Sequence, residues 1–295
     1  MTLINEEHLS QPPYEKQQLK WREESMVHHD MNMSGTLWTP KENNAAPLPL
    51  LIMAPGFFAD ENQEIVQSIA DRLVRDLKVA VFTMNYDPDD IWSYTLGHKQ
   101  SLDYTVEHLR RFVKKVDAEK IGLLGVSYGG SIALIAHEKR KAIICLGAPI
   151  NPFTIMDRPY FKQFTHPAED GAKLIGARQV RVASEFEDPI WYKQRNPADI
   201  RDEIMLHEYR TLPSPVVLIH ANEKENGLVP AKEAQIIYEA VPHGSLFILD
   251  RPIHEKMTPG QIHNFQGGLR EPMLMIIKDA VENLLINDTP SWLMK

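Results

Sequence analysis

The sequence predicts an α/β protein with a mostly parallel central sheet, helices on both faces and a helical cap insertion. Three observations predict it. Apolar runs without alternation, such as LPLLIMAP and VVLIHA, read as strands buried on both faces. Amphipathic stretches of helical period separate them. Strand and helix alternate over most of the chain, the pattern of right-handed crossovers in a parallel sheet.

The first thirty or so residues form a polar lead-in. A hairpin follows, LKWREESMVHHD and MNMSGTLWTPKENN, with its turn expected near Met33–Gly35. Leu48–Pro55 is the first buried strand. Between Asn62 and Leu77, Ile65, Ile69, Leu73 and Leu77 recur every fourth position and make one helical stripe. Val79–Tyr86 is the next strand, and a helix from Gln100 to Val116 presents Leu102, Leu109, Phe112, Val113 and Val116 on one face. KIGLLGV is a strand, YGGSIALIAHEKR a helix and KAIICLGAPI a strand. PVVLIHAN, PAKEAQIIYEAV and SLFILD continue the alternation, and a last helix spans roughly Pro272 to Leu285. Asn151 to Leu212 breaks the pattern. It is rich in aromatics and charge and has no clear buried strand, so it reads as a helical cap (151–212) on a core made of 1–150 and 213–295.

Composition excludes several classes. A net charge of −8 lacks the basic footprint of nucleic-acid binding. No apolar run is long enough to span a membrane. The polar, acidic start has no signal-peptide pattern, so the cytoplasm is expected. A single cysteine, Cys145, allows neither an internal disulfide nor a cysteine metal cluster, and no metal or other cofactor is expected. The acidic loop YDPDDIW lacks the glycine and distal glutamate of a calcium loop. RRFVKK reads as the outer face of a helix, with carrier-protein docking at Arg110 and Arg111 as its sharper alternative.

GLLGVSYGG carries the chemistry. It satisfies G-x-S-x-G between an apolar strand and an apolar helix, the context that lifts a serine hydroxyl above a sheet edge. Gly125 and Gly129 relieve crowding on either side of Ser127. The plainer reading is an N-cap serine. A serine hydroxyl needs a base, and the base needs an orienting acid, here following the serine in the order acid, then histidine. His254, just past the strand SLFILD, is the expected base, with His263 in QIHNF as runner-up near the final helix. His28 and His29 fall on the early hairpin, and His220 ends a strand and orders a turn. The acid is expected in NEKENG after PVVLIHAN, which offers Glu223 and Glu225; Glu225 is preferred, since Asn226 occupies the position four before Pro230. Asp250 reads as the end of its strand. Two backbone N–H groups must meet the tetrahedral oxygen. Tyr128, following the nucleophile, supplies one, and Phe57, with Phe58 as alternative, the other, in the loop opened by Gly56.

From about residue 35 to 285 the chain resembles the acyltransferases of bacterial bioluminescence operons, which act as myristoyl-acyl carrier protein thioesterases on an α/β-hydrolase fold. The resemblance rests on LLIMAPGFFAD, on the length and place of the Asn151–Leu212 insert, on LIHANEKENGLV and on FILDRPIHEKM, where His254 takes the place of the catalytic histidine. It implies cleavage of an acyl thioester or ester through an acyl-serine, with the substrate presented by an acyl carrier protein or coenzyme A. Aromatics of the insert, among them Phe153, Tyr160 and Trp191, suit an acyl tunnel or merely seat the cap. A carboxylesterase for small esters uses the same triad, and an inactive binding protein on the same fold is the reading from another class.

Overall fold

The computed structural model describes residues 12–23, 31–41, 47–56, 60–85, 94–135, 140–152, 165–167, 173–175, 178–180, 202–223 and 227–289. Eight strands form one sheet in the order β1-β2-β4-β3-β5-β6-β10-β11. They are β1 (Tyr14–Glu23), β2 (Met31–Pro40), β3 (Leu48–Ala54), β4 (Ala80–Asn85), β5 (Val116–Val126), β6 (Ile143–Leu146), β10 (Val216–Ala221) and β11 (Gly244–Leu249). β2 runs antiparallel to β1 and to β4; the six strands from β4 to β11 in the sheet order are parallel.

The unbroken apolar runs follow from burial on both faces. In β3, Leu50, Ile52 and Ala54 enter one core while Leu51 and Met53 enter the other. The first core is closed by α2 (Tyr94–Phe112), α3 (Tyr128–Leu134), α4 (Asp202–Tyr209) and α5 (Ala231–Ala240). The second is closed by α1 (Glu64–Leu77) and α7 (Arg270–Ala280), which continues into a π-helical turn, Val281–Ile286. The stripe expected on α1 is buried as Ile65, Ile69 and Leu73. Among the described residues no helix is long and apolar enough to cross a membrane.

Several expectations are corrected. Met33–Gly35 is not a turn: all three residues lie inside β2, where the missing side chain of Gly35 leaves room for the ring of Phe82. α2 begins six residues earlier than its stripe suggested and ends at Phe112, which is exposed; Val116 already belongs to β5. In the expected helical cap, the described residues form a three-stranded antiparallel sheet, β7 (Thr165–Pro167), β8 (Lys173–Ile175) and β9 (Arg178–Val180), besides α4. α4 packs into the first core through Met205 and Tyr209, and the Tyr209 hydroxyl donates to the Ile150 carbonyl at 2.8 Å. Phe153, Tyr160 and Trp191 lie outside the described residues.

Candidate active site

Ser127 sits between β5 and α3 with φ 54° and ψ −120°, a left-handed backbone that a serine adopts only under constraint. The constraint is close packing. A β-carbon on Gly125 would overlap the Gly129 carbonyl, and one on Gly129 would overlap the carbonyl oxygens of Ala54 and Pro55. The start of α3 is thereby pressed against the end of β3. Tyr128, first residue of α3, is fully buried. Phe57 and Phe58 themselves lie outside the described residues. The Ser127 N–H donates to the Leu146 carbonyl at 2.6 Å, which ties the bend to the end of β6.

The histidine that the structure pairs with a carboxylate is His263, not His254. His263 Nδ1 lies 2.7 Å from Glu223 Oε1, and both residues are buried, at 4% and 5% exposure. His254 is exposed in the turn after β11 and makes no side-chain hydrogen bond among the described residues. Glu225 lies outside the described residues; the carboxylate on His263 belongs to Glu223, two residues past β10. Glu223 is fixed from its other oxygen, which accepts from the N–H groups of Leu228 at 2.8 Å and Val229 at 3.3 Å. An ionised carboxylate only accepts, so Nδ1 is the donor in this pair. Nε2 is buried without a hydrogen-bond partner among the described residues.

His263 ends a separate short helix, α6 (Pro259–His263), rather than leading into the final one. Thr258 caps α6 by a capping box: its hydroxyl accepts from the Gln261 N–H while the Gln261 side chain accepts from the Thr258 N–H. The far end closes as a Schellman turn, Gln266 N–H to Gln261 carbonyl and Phe265 N–H to Ile262 carbonyl, both at 3.0 Å. Phe265 occupies the left-handed position, φ 50°, with its ring fully buried. The T-P-x-Q string before the histidine was the available sequence signal for this helix.

Ser127 and His263 converge on one peptide. Leu146 accepts from Ser127, and the next residue, Gly147 (φ 58°), faces the imidazole: a β-carbon there would stand 3.0 Å from His263 Cε1. His220, on β10, is buried nearby. Its Nδ1 lies 2.6 Å from the Ala221 carbonyl, its Nε2 has no partner among the described residues, and burial pulls its pKa below the ordinary value, against the opposing influences of the Ala221 hydrogen bond and Glu223. Asp250 binds Asn222 at 2.7 Å and ties the ends of β10 and β11. Among the described residues no cluster of His, Cys, Asp or Glu could hold a metal ion.

A strained serine at a strand-to-helix bend on such a sheet defines a hydrolase-type architecture. Residues 51–255 match the alpha/beta hydrolase family, and the chain belongs to that family: it is a hydrolase. Comparison with curated proteins finds no match. Solved structures share the fold at low identity. Est1E from Butyrivibrio proteoclasticus is similar with a TM-score of 0.61 and 17% identity, over 88% of this chain and 96% of that one. The esterase domain of a Rhodothermus marinus protein gives 0.61 and 16%, over 92% and 99%. Carboxyl esterase 2 from Tuber melanosporum gives 0.59 and 15%, over 94% and 89%.

Proposed function

We propose that this hydrolase cleaves an acyl ester or thioester through an acyl-serine on Ser127, with His263 as general base and Glu223 as its orienting acid. One observation carries the reading: a buried Glu223–His263 pair, its Nε2 unsatisfied, against the same peptide that braces the strained serine. His263 Nε2 takes the Ser127 hydroxyl proton as the oxygen attacks the acyl carbonyl. Glu223 stabilises the imidazolium that forms. The N–H groups of Tyr128 and Phe57 hold the oxyanion, and the imidazolium returns its proton to the leaving alcohol or thiol. Water, deprotonated by the same imidazole, then attacks the acyl-serine and releases the acid; an acceptor alcohol in its place yields a transferred ester.

For the acyl group, the finer reading is a fatty-acyl thioester delivered by coenzyme A or an acyl carrier protein. The resemblance to the bioluminescence acyltransferases and the aromatic content of the insert support it. The esterase names of the structural relatives favour a second reading, a carboxylesterase for small esters. Hydrolysis of p-nitrophenyl esters and of acyl-coenzyme A thioesters, each from acetyl to palmitoyl, tests the choice. The fatty-acyl reading expects kcat/KM to rise with chain length and thioesters to be cleaved. A maximum at acetyl or butyryl esters with inert thioesters contradicts it.

A further inference from the structure

We propose that Arg270 is a positioning residue for the catalytic histidine, a role that rests on the reading of His263 as the base. Arg270 opens α7, and its guanidinium reaches back over the turn that follows His263. Nε donates to the Phe265 carbonyl at 3.0 Å, and Nη2 reaches the Asn264 carbonyl at 3.5 Å. Nη1 donates to the Ser68 hydroxyl at 2.7 Å and lies 3.4 Å from Glu64 Oε1, both on α1. The Arg270 side chain is 15% exposed, whereas Glu64 is 75% exposed, so the bonds to the turn carbonyls and not the ion pair are the sheltered ones.

The demand for such a clamp follows from the local structure. α6 has five residues, too few to hold its own shape. Carbonyls at a helix end lack intrahelical partners, and here two that immediately follow His263 receive theirs from Arg270. The turn also needs a non-glycine residue, Phe265, in the left-handed region, a conformation that persists only when surrounding contacts hold it. Gln63 adds a weaker tie, its amide 3.5 Å from Asn264 Oδ1. Glu223 fixes the imidazole from one side; Arg270 fixes the backbone that carries it and anchors that backbone to α1. A planar fork with donors in several directions can serve acceptors on two elements together, which a lysine ammonium on its flexible stem cannot do with the same geometry.

The test compares wild type, Arg270→Met and Arg270→Lys. Its readouts are steady-state kinetics on the preferred ester, the pH profile of kcat/KM, and labelling of Ser127 by a fluorophosphonate, with circular dichroism and the thermal midpoint as fold controls. For folded R270M we expect kcat to fall about tenfold to a hundredfold, the loss that a misplaced catalytic group produces. KM should stay within about twofold, and the acid limb of the pH profile should move as the His263–Glu223 pair loosens. R270K should fall between R270M and wild type. A folded R270M with wild-type kcat and an unmoved acid limb overturns the proposal. Should R270M not fold, wild-type kcat and an unmoved limb in R270K overturn it equally. A wild type that does not label at Ser127, or labelling unchanged in His263→Gln, defeats the catalytic reading itself and the Arg270 role with it. Labelling that depends on His263 but not on Arg270 defeats this inference alone.

Discussion

At Ser127 the backbone conformation, φ 54° and ψ −120°, is one that glycine tolerates and other residues resist, at a cost of order 1–3 kcal/mol. Alanine at this position removes the hydroxyl and keeps the strain; glycine removes both. Ser127→Gly is therefore expected to be more stable than Ser127→Ala by about 1 kcal/mol, with both inactive. Urea unfolding midpoints check the order. His220 gives a second expectation. Burial depresses its pKa below 6.5, so as pH falls below 6.5 the unfolded chain takes up a proton that the folded state resists. Stability is then lost with falling pH, by at most about 1.4 kcal/mol per pH unit for this one group, down to the depressed folded value. His220→Gln should flatten that part of the curve of thermal midpoint against pH; an unchanged slope would contradict it. The strained bend at Ser127 was legible because its glycines and flanking apolar runs are local. The carboxylate-paired histidine was not. His254 stands where a loop after the last strand suggests a base, but that loop runs exposed and the chain continues to α6 before an imidazole turns inward. Glu223 was visible as a candidate; what separates it from its neighbours is burial and two backbone N–H donors, which spacing does not reveal.

Among the elements, α6 is the one that carries the buried His263 and the one that sequence periodicity passes over. Five residues carry no recognisable hydrophobic stripe. Its stability comes from the Thr258 capping box and the Schellman turn. Thr258→Ala should cost about 0.5–2 kcal/mol locally. Because α6 is a small unit, that cost should appear as faster hydrogen exchange at Asn264 and Phe265, with a smaller change in the global midpoint. Protection at these amides equal to wild type would contradict it. The long elements were legible for the opposite reason: β3, β4, β10 and residues 121–126 of β5 are buried on both faces and α1 has a clean four-residue repeat. The misplaced hairpin turn shows the limit of turn chemistry. Ser34-Gly35 has turn composition, yet Gly35 stays in strand because Phe82 on the neighbouring strand occupies its side-chain space.

Over the whole molecule, residues far apart in sequence meet at one edge of the sheet. Ser127 follows β5, Gly147 follows β6, Glu223 follows β10, and His263 arrives on α6 after β11. Parallel order β5-β6-β10 brings the carboxyl ends of three strands side by side, and that adjacency, more than any motif, assembles the pair and the bend. The alternation of strand and helix was enough to read this class of sheet; it was not enough to read that residues 202–212 return to the core, since α4 is short and its Met205 and Tyr209 form no long stripe. The central claim is the partnership of Ser127 with His263. Its most direct measurement is the second-order rate of fluorophosphonate labelling at Ser127, with the site identified by mass spectrometry, in wild type, His263→Gln, Glu223→Gln and His254→Gln. The rate should be lowered by at least about a hundredfold in H263Q, clearly reduced in E223Q and unchanged from wild type in H254Q. Wild-type labelling in H263Q, with loss in H254Q instead, would contradict it.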